Sequence, residues 1–131
     1  MKDEIKKYSV RGVRGATTVN SDESELIKDA TKELLQEMIN VNNILTEDIA
    51  AVFFTTTSDL SDEFPAVAAR EMGWDTVPLI CGHEMAVPKG LKKCLRVLIM
   101  WNTKVKQKKV RHPYLRGANV LRKSENDFEA T

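Results

Sequence analysis

The sequence predicts an α+β (mixed α/β) fold: a single domain with a mixed β-sheet and two main helices. The apolar pattern runs strand, helix, strand, helix, strand, strand and then further extended segments, an order that fits neither a helix bundle nor a sandwich. No repeat, low-complexity linker or Pro/Gly-rich break divides the 131 residues, so one core serves the chain. With 42% hydrophobic residues, a chain of this length buries roughly two-thirds of its unfolded surface. That excludes a disulfide-held miniprotein and a disordered tail.

Residues 1–7 are polar and read as an N-terminal extension. Residues 8–19 form a β-branched stretch interrupted by Gly12 and Gly15, a first strand with a bulge or a close backbone approach. Asn20 and Glu23 make a capping pair. After them Leu26, Ile27, Ala30, Leu34, Met38 and Val41 recur at helical spacing to about Asn42. Residues 49–57 are a strand by composition, followed by an acidic polar loop over 58–63. Phe64 and Pro65 open a short second helix that Gly73 ends. Residues 77–81 suit a short buried strand, 88–90 a turn, and 91–103 give the longest strand signal. Residues 110–115 and 118–121 read as a final extended pair around Gly117.

Charge is distributed unevenly. Residues 1–84 carry 8 Lys/Arg against 16 Asp/Glu, whereas 85–124 carry 12 Lys/Arg and no acid, so that half attracts anions. Apolar runs such as residues 97–101 are far short of a membrane span, and no apolar leader is evident at the start. The expectation is a soluble, cytoplasmic protein with Cys81 and Cys94 free and reduced.

Arg96 is the first anomaly with chemical meaning. Period-two alternation puts Leu95, Val97, Ile99 and Trp101 on one face and Cys94, Arg96, Leu98 and Met100 on the other. A guanidinium cannot shed its charge, so a covered face must supply an anionic acceptor; the other reading is an arginine that reaches into water. Arg11 and Arg14, three apart, project to opposite faces unless a bulge intervenes, and a structural ion pair or solvated arginine is the default for both. Glu84 follows a strand end. It reads first as an arginine's counter-ion, and otherwise as a general base or an acceptor for a substrate hydroxyl. Tyr114 is either a partly buried core tyrosine or a donor to an anionic ligand.

Cys81, Gly82, His83 and Glu84 offer S, N and O donors, but the spacing matches no zinc pattern and His112 lies outside any partner motif, so no metal is expected. Both cysteines read as small buried hydrophobes. The basic run 104–111 lacks interleaved aromatics, and a solvated loop is favoured over a nucleic-acid surface.

Several blocks in order resemble the monofunctional chorismate mutases of the Bacillus type: VRGVRGATTV at 10–19, FPAVAARE at 64–71, VPLICGHEM at 77–85, GLKKCLRV at 90–97, RHPYL at 111–115 and VLR at 120–122. The resemblance covers residues 8–123 as one domain and leaves 124–131 as a C-terminal tail. It implies a pseudo-α/β-barrel homotrimer with sites between subunits. It also implies the rearrangement of chorismate to prephenate, in aromatic amino acid biosynthesis, without cofactor or metal.

By resemblance, Arg96 donates to the ether oxygen, Arg14 grips a carboxylate of the dianionic substrate, Glu84 accepts from the ring hydroxyl, and Tyr114 binds a carboxylate or positions Arg14. Phe64, Ala66, Ile80, Cys81 and Leu121 would shape the wall, with Arg70 and Arg122 near the entrance. Val67 stands where the family pattern often has a lysine, and Ile80 replaces a more polar residue. The competing reading is a non-catalytic trimeric module that binds an anionic metabolite. Such a module needs the arginines but has little use for Glu84, which repels an anion.

Overall fold

The computed structural model describes residues 7–122. Apart from Lys7, the expected extension at 1–7 and tail at 124–131 lie outside the described residues. The chain runs β1 (Ser9–Thr18), α1 (Ser24–Asn42), β2 (Ile49–Thr56), α2 (Ala66–Glu71), β3 (Leu79–His83) and β4 (Cys94–Thr103), with short 3-10 turns at Thr46–Asp48, Gln107–Lys109 and Arg116–Ala118. The strands form one four-stranded sheet in the order β1-β4-β2-β3. β4 is antiparallel to both β1 and β2, while β2 and β3 run parallel through the α2 crossover. The α+β expectation therefore holds, with a mixed sheet.

Helix α1 buries Ile27, Ala30, Thr31, Leu34, Leu35 and Met38, a stripe spaced by three and four residues that faces the core. On the sheet it meets the face carrying Val13, Val52, Phe54, Leu95, Val97, Ile99 and Trp101. Gly15 allows the close approach: a Cβ there would stand 2.6 Å from Met38 Sδ. The pairing of β1 with β4 runs without a register shift, so of the two readings, a bulge or a close approach, the close approach is the one observed, at Gly15. Asn43 ends the helix in the left-handed region at φ 57°, its N–H donating to the Ile39 carbonyl.

The Asn20/Glu23 capping pair does not form. Glu23 stands at the N-cap without a side-chain bond, and the Ser24 N–H donates instead to Asp62 Oδ2 at 2.8 Å. The Ser24 hydroxyl donates to Glu63 Oε2, and Asp22 accepts from the N–H groups of Ser61 and Asp62. The acidic loop is thus bound to the start of α1, because its carboxylates reach donors that Asn20 does not.

The extended pair expected at 110–115 and 118–121 is replaced by a single bridge, Ala16 to Tyr114, followed by the 3-10 turn. Pro113 has no N–H to give a ladder, and most of the pairing along the outer edge of β1 comes from side chains. Arg11 Nε donates to the Val105 carbonyl, and the Gln107 carboxamide pairs with both backbone groups of Gly12. The Arg14 N–H donates to His112, Ala16 pairs with Pro113 and Leu115, and the Thr18 hydroxyl accepts from Gly117. The edge strand is covered in this way rather than left as a template for another chain.

The sheet face opposite α1 is different. Val10, Phe53 and Ile80 are 51, 42 and 59% exposed there, beside half-buried Leu98 and Met100, and no helix among the described residues covers them.

Candidate active site

Arg96 lies in the middle of β4 on that uncovered face. Its cross-strand neighbours are Ala16 of β1 and Thr55 of β2. Glu84 follows β3, its N–H donating to the Thr56 carbonyl at 2.7 Å. This bond turns the chain end so that the carboxylate folds back over β2. Glu84 Oε2 lies 3.3 Å from Arg96 Nε and accepts from the Thr55 hydroxyl. Of the readings open in sequence, an arginine paired to a carboxylate is the one observed. The pair is half-exposed, so it orients the guanidinium more than it stabilises the fold.

Arg14 lies on the same face of β1, opposite Leu98 and so diagonal to Arg96, while Arg11 points to the other face. Arg14, Arg96 and Tyr114 line a cavity of about 300 Å³ with Ala16, Phe53, Thr55 and Leu98. On the Glu84 side, Arg96 borders a second cavity of about 590 Å³ with Thr57, Met85, Leu91 and Cys94. On the β1 side, Arg14 and Tyr114 border a third of about 500 Å³ with Glu37, Arg111, His112 and Arg122. Tyr114 is buried, packed with Ala16 and Ala118, so it serves both as core and as cavity wall.

The other expected residues do not join this line within one chain. Leu121 packs against the small Ala16, Tyr114 and Ala118 cluster. Ala66 is part of the main core, and half-buried Cys81 packs against it, on the helix side of β3. Phe64, Arg70 and Ile80 are exposed. Burial pushes the Cys81 thiol up against the opposing pull of the Ala66 backbone and Arg70, and burial pushes the Cys94 thiol up as well, so neither is poised as a nucleophile. Among the described residues, no group of three or more His, Cys, Asp or Glu is placed to hold a metal ion.

Thr55 and His112 were not singled out from sequence as site residues. The signal for Thr55 is its alternation with Phe53, which places it on the Arg96 face. For His112 it is the Arg-His-Pro-Tyr run, which puts an imidazole two residues from Tyr114.

The two ends of the line lie at opposite edges of the sheet. β1 holds Arg14, β3 leads into Glu84, and three strand spacings separate those strands, about 14 Å. One chain thus carries Glu84, Arg96, Arg14 and Tyr114 along one face, with Arg96, Arg14 and Tyr114 sharing a cavity, whereas exposed Phe64 and Arg70 stand apart from it.

Comparison with known proteins gives the family of the chain. The family model for chorismate mutase type I matches residues 10–125. Chorismate mutase AroH of Thermus thermophilus is 51% identical over 114 residues, covering 86% of this chain and 93% of that protein. Chorismate mutase AroH of Bacillus subtilis (strain 168) is 46% identical over 114 residues, covering 86% and 90%. A solved chorismate mutase from Clostridium thermocellum superposes with a TM-score of 0.82 at 44% identity, covering 83% of this chain and 97% of that one. A fold, a cationic cleft and a match over most of the length converge: the chain belongs to the chorismate mutase type I family.

Proposed function

We propose that this enzyme rearranges chorismate to prephenate at a site built from Arg96, Glu84, Arg14 and Tyr114, and that neighbouring copies of the chain complete that site. The reaction is pericyclic. It needs no proton transfer and no covalent intermediate, so catalysis consists of holding the compact reactive conformer and stabilising the charge that separates as the ether bond breaks.

Arg96 carries the reading. Glu84 occupies its Nε edge, which turns the terminal nitrogens toward the departing ether oxygen as it becomes enolate-like. Glu84 accepts from the ring hydroxyl and sits near the positive charge developing on the ring. Arg14 binds a carboxylate of the dianion, with Tyr114 beside it. Phe64, Ala66, Ile80, Cys81 and Leu121 form the wall, and Arg70 and Arg122 stand at the entrance. A module that only held an anion would gain nothing from a carboxylate beside its arginine.

Two observations support a closed homotrimer. The exposed apolar face of Val10, Phe53 and Ile80 asks for a partner. Exposed Phe64 and Arg70, apart from the Arg96 and Arg14 cavity in one chain, fit a head-to-tail contact, which closes into a ring. Two free thiols fit a reducing compartment, and we place the enzyme in the cytoplasm, where prephenate serves phenylalanine and tyrosine synthesis.

The test is chorismate disappearance followed spectrophotometrically with Arg70→Ala, Arg96→Ala and a refolded mixture of the two. Each variant alone is expected to lose most of its activity at low chorismate concentration. Random mixing into a ring restores about one intact site in four, because one chain supplies Arg96 and its neighbour Arg70. A mixture no better than its parts would place both arginines of a site in the same chain.

A further inference from the structure

β1 is an edge strand, so Gly12, Arg14 and Ala16 turn their backbone groups outward. Gly12 is paired by the Gln107 carboxamide, which donates to its carbonyl at 2.8 Å and accepts from its N–H at 3.0 Å. Ala16 is paired by the main chain of Pro113 and Leu115. Between them, the Arg14 N–H donates to His112 Nδ1 at 2.9 Å. A ring nitrogen that accepts holds no proton, so the imidazole is neutral at this bond with its proton on Nε2. The ring therefore takes the place of a backbone carbonyl of a missing fifth strand, at the one residue of this edge whose side chain is a cation in the candidate site. His112 and Arg14 also line the same cavity, with Tyr114 and Arg122.

We propose that His112 is a positioning residue: by accepting from the Arg14 backbone it fixes the pleat of β1 there, and so the origin and direction of the Arg14 guanidinium that meets a substrate carboxylate. The inference rests on reading Arg14 as a carboxylate ligand. Water can pair the same N–H, but it exchanges and leaves the edge free to twist. A carboxylate is present in ground state and transition state alike, so a misdirected Arg14 weakens both equally and the loss falls on KM.

The experiment measures steady-state kinetics with chorismate, and unfolding midpoints, for His112→Leu, His112→Asn, Gln107→Ala and Arg14→Ala. Replacing one hydrogen bond by a weaker arrangement predicts a KM about 3- to 10-fold higher for His112→Leu, with kcat within about twofold of the parent. His112→Asn keeps an acceptor oxygen where Nδ1 stood and restores KM to within about twofold. Gln107→Ala loses two bonds one pleat away; it lowers the midpoint and leaves KM alone. An unchanged KM in His112→Leu, an equal KM rise in Gln107→Ala, or a His112→Asn as poor as His112→Leu would each overturn the proposal. If His112→Leu does not fold, His112→Ser, which leaves the edge to water, carries the same expectation. Failure of the underlying reading is separately visible, since Arg14→Ala would then keep the parent's KM and kcat.

Discussion

Arg96→Lys is the sharpest perturbation of the site, because it keeps the charge and removes the geometry. Glu84 lies 3.3 Å from Arg96 Nε, and in the proposed site the terminal nitrogens of the planar fork serve the substrate oxygen. A lysine offers a single nitrogen on a flexible stem. Glu84, held by its own backbone bond to Thr56 and by the Thr55 hydroxyl, does not move away and captures that ammonium. The whole donor term at the ether oxygen is then lost, about 10²- to 10³-fold in kcat, or roughly 2.7–4 kcal/mol. Arg96→Ala loses the same term and also leaves Glu84 uncompensated beside a dianion, so its KM rises further. The Arg96–Glu84 pair is half-exposed, and its removal alters folding stability by less than about 1 kcal/mol, so a fall in rate is not a fall in folded fraction. The assay is chorismate disappearance under saturating substrate, with circular dichroism and a thermal scan on the same samples. If folded Arg96→Lys keeps more than about a tenth of the parent's kcat, the division of the fork between Glu84 and the ether oxygen is wrong.

Three further outcomes follow from the packing and the loop contacts. Gly15→Ala places a Cβ 2.6 Å from Met38 Sδ and 3.1 Å from Leu34 Cδ1, both fully buried. Overpacking of about 1–3 kcal/mol should lower the unfolding midpoint by roughly 3–10 °C, and an unchanged midpoint would show that the α1–β1 contact has slack. The carboxyl of Asp22 is held below its ordinary range by the Ser61 and Asp62 backbone N–H groups, and that of Glu63 by the Ser24 hydroxyl and the Phe64 N–H. A lowered folded-state pKa stabilises above the unfolded value and ceases to as pH falls through the folded one. The midpoint should therefore drop below about pH 4, and less steeply in Asp22→Asn; parallel pH profiles would refute the clasp. Burial pushes the Cys94 thiol up and leaves it 1% exposed, so a thiol reagent near neutral pH should spare it until denaturant is added. Rapid native labelling of Cys94 would contradict that burial.

What sequence carries about this protein is which face a side chain takes. Arg96 stood out because alternation set a charge among Cys94, Leu98 and Met100, and the same alternation separated Arg14 from Arg11. Alternation does not carry which strands are neighbours. Glu84 reaches Arg96 only because β3 pairs parallel to β2 across the α2 crossover, and no local pattern in residues 77–84 encodes that reach. The same deficit explains the start of α1. Asn20 and Glu23 look like a cap in isolation, but Asp62 and Glu63, some forty residues on, take the donors once tertiary contacts form. The C-terminal segment departs from its sequence pattern for a different reason. Its residues are extended enough to resemble strands, yet Gln107 and His112 pair with β1 through side chains, a mode that strand propensity does not register.

Phe64 and Arg70 near β3, and Arg122 near β1, belong to the third kind of illegibility. Their sequence blocks group them with Arg96, while the single chain keeps them apart. Folding free energy of one chain acts only on contacts within it, so it has no means to bring opposite sheet edges together. Where copies assemble, selection on catalysis acts on the assembly, and it can hold residues at both edges in register with each other. Groups that a family pattern unites and one chain separates are therefore the expected mark of a site whose final coordinate is a neighbouring copy. The mixing of Arg70→Ala with Arg96→Ala decides whether this chain follows that logic.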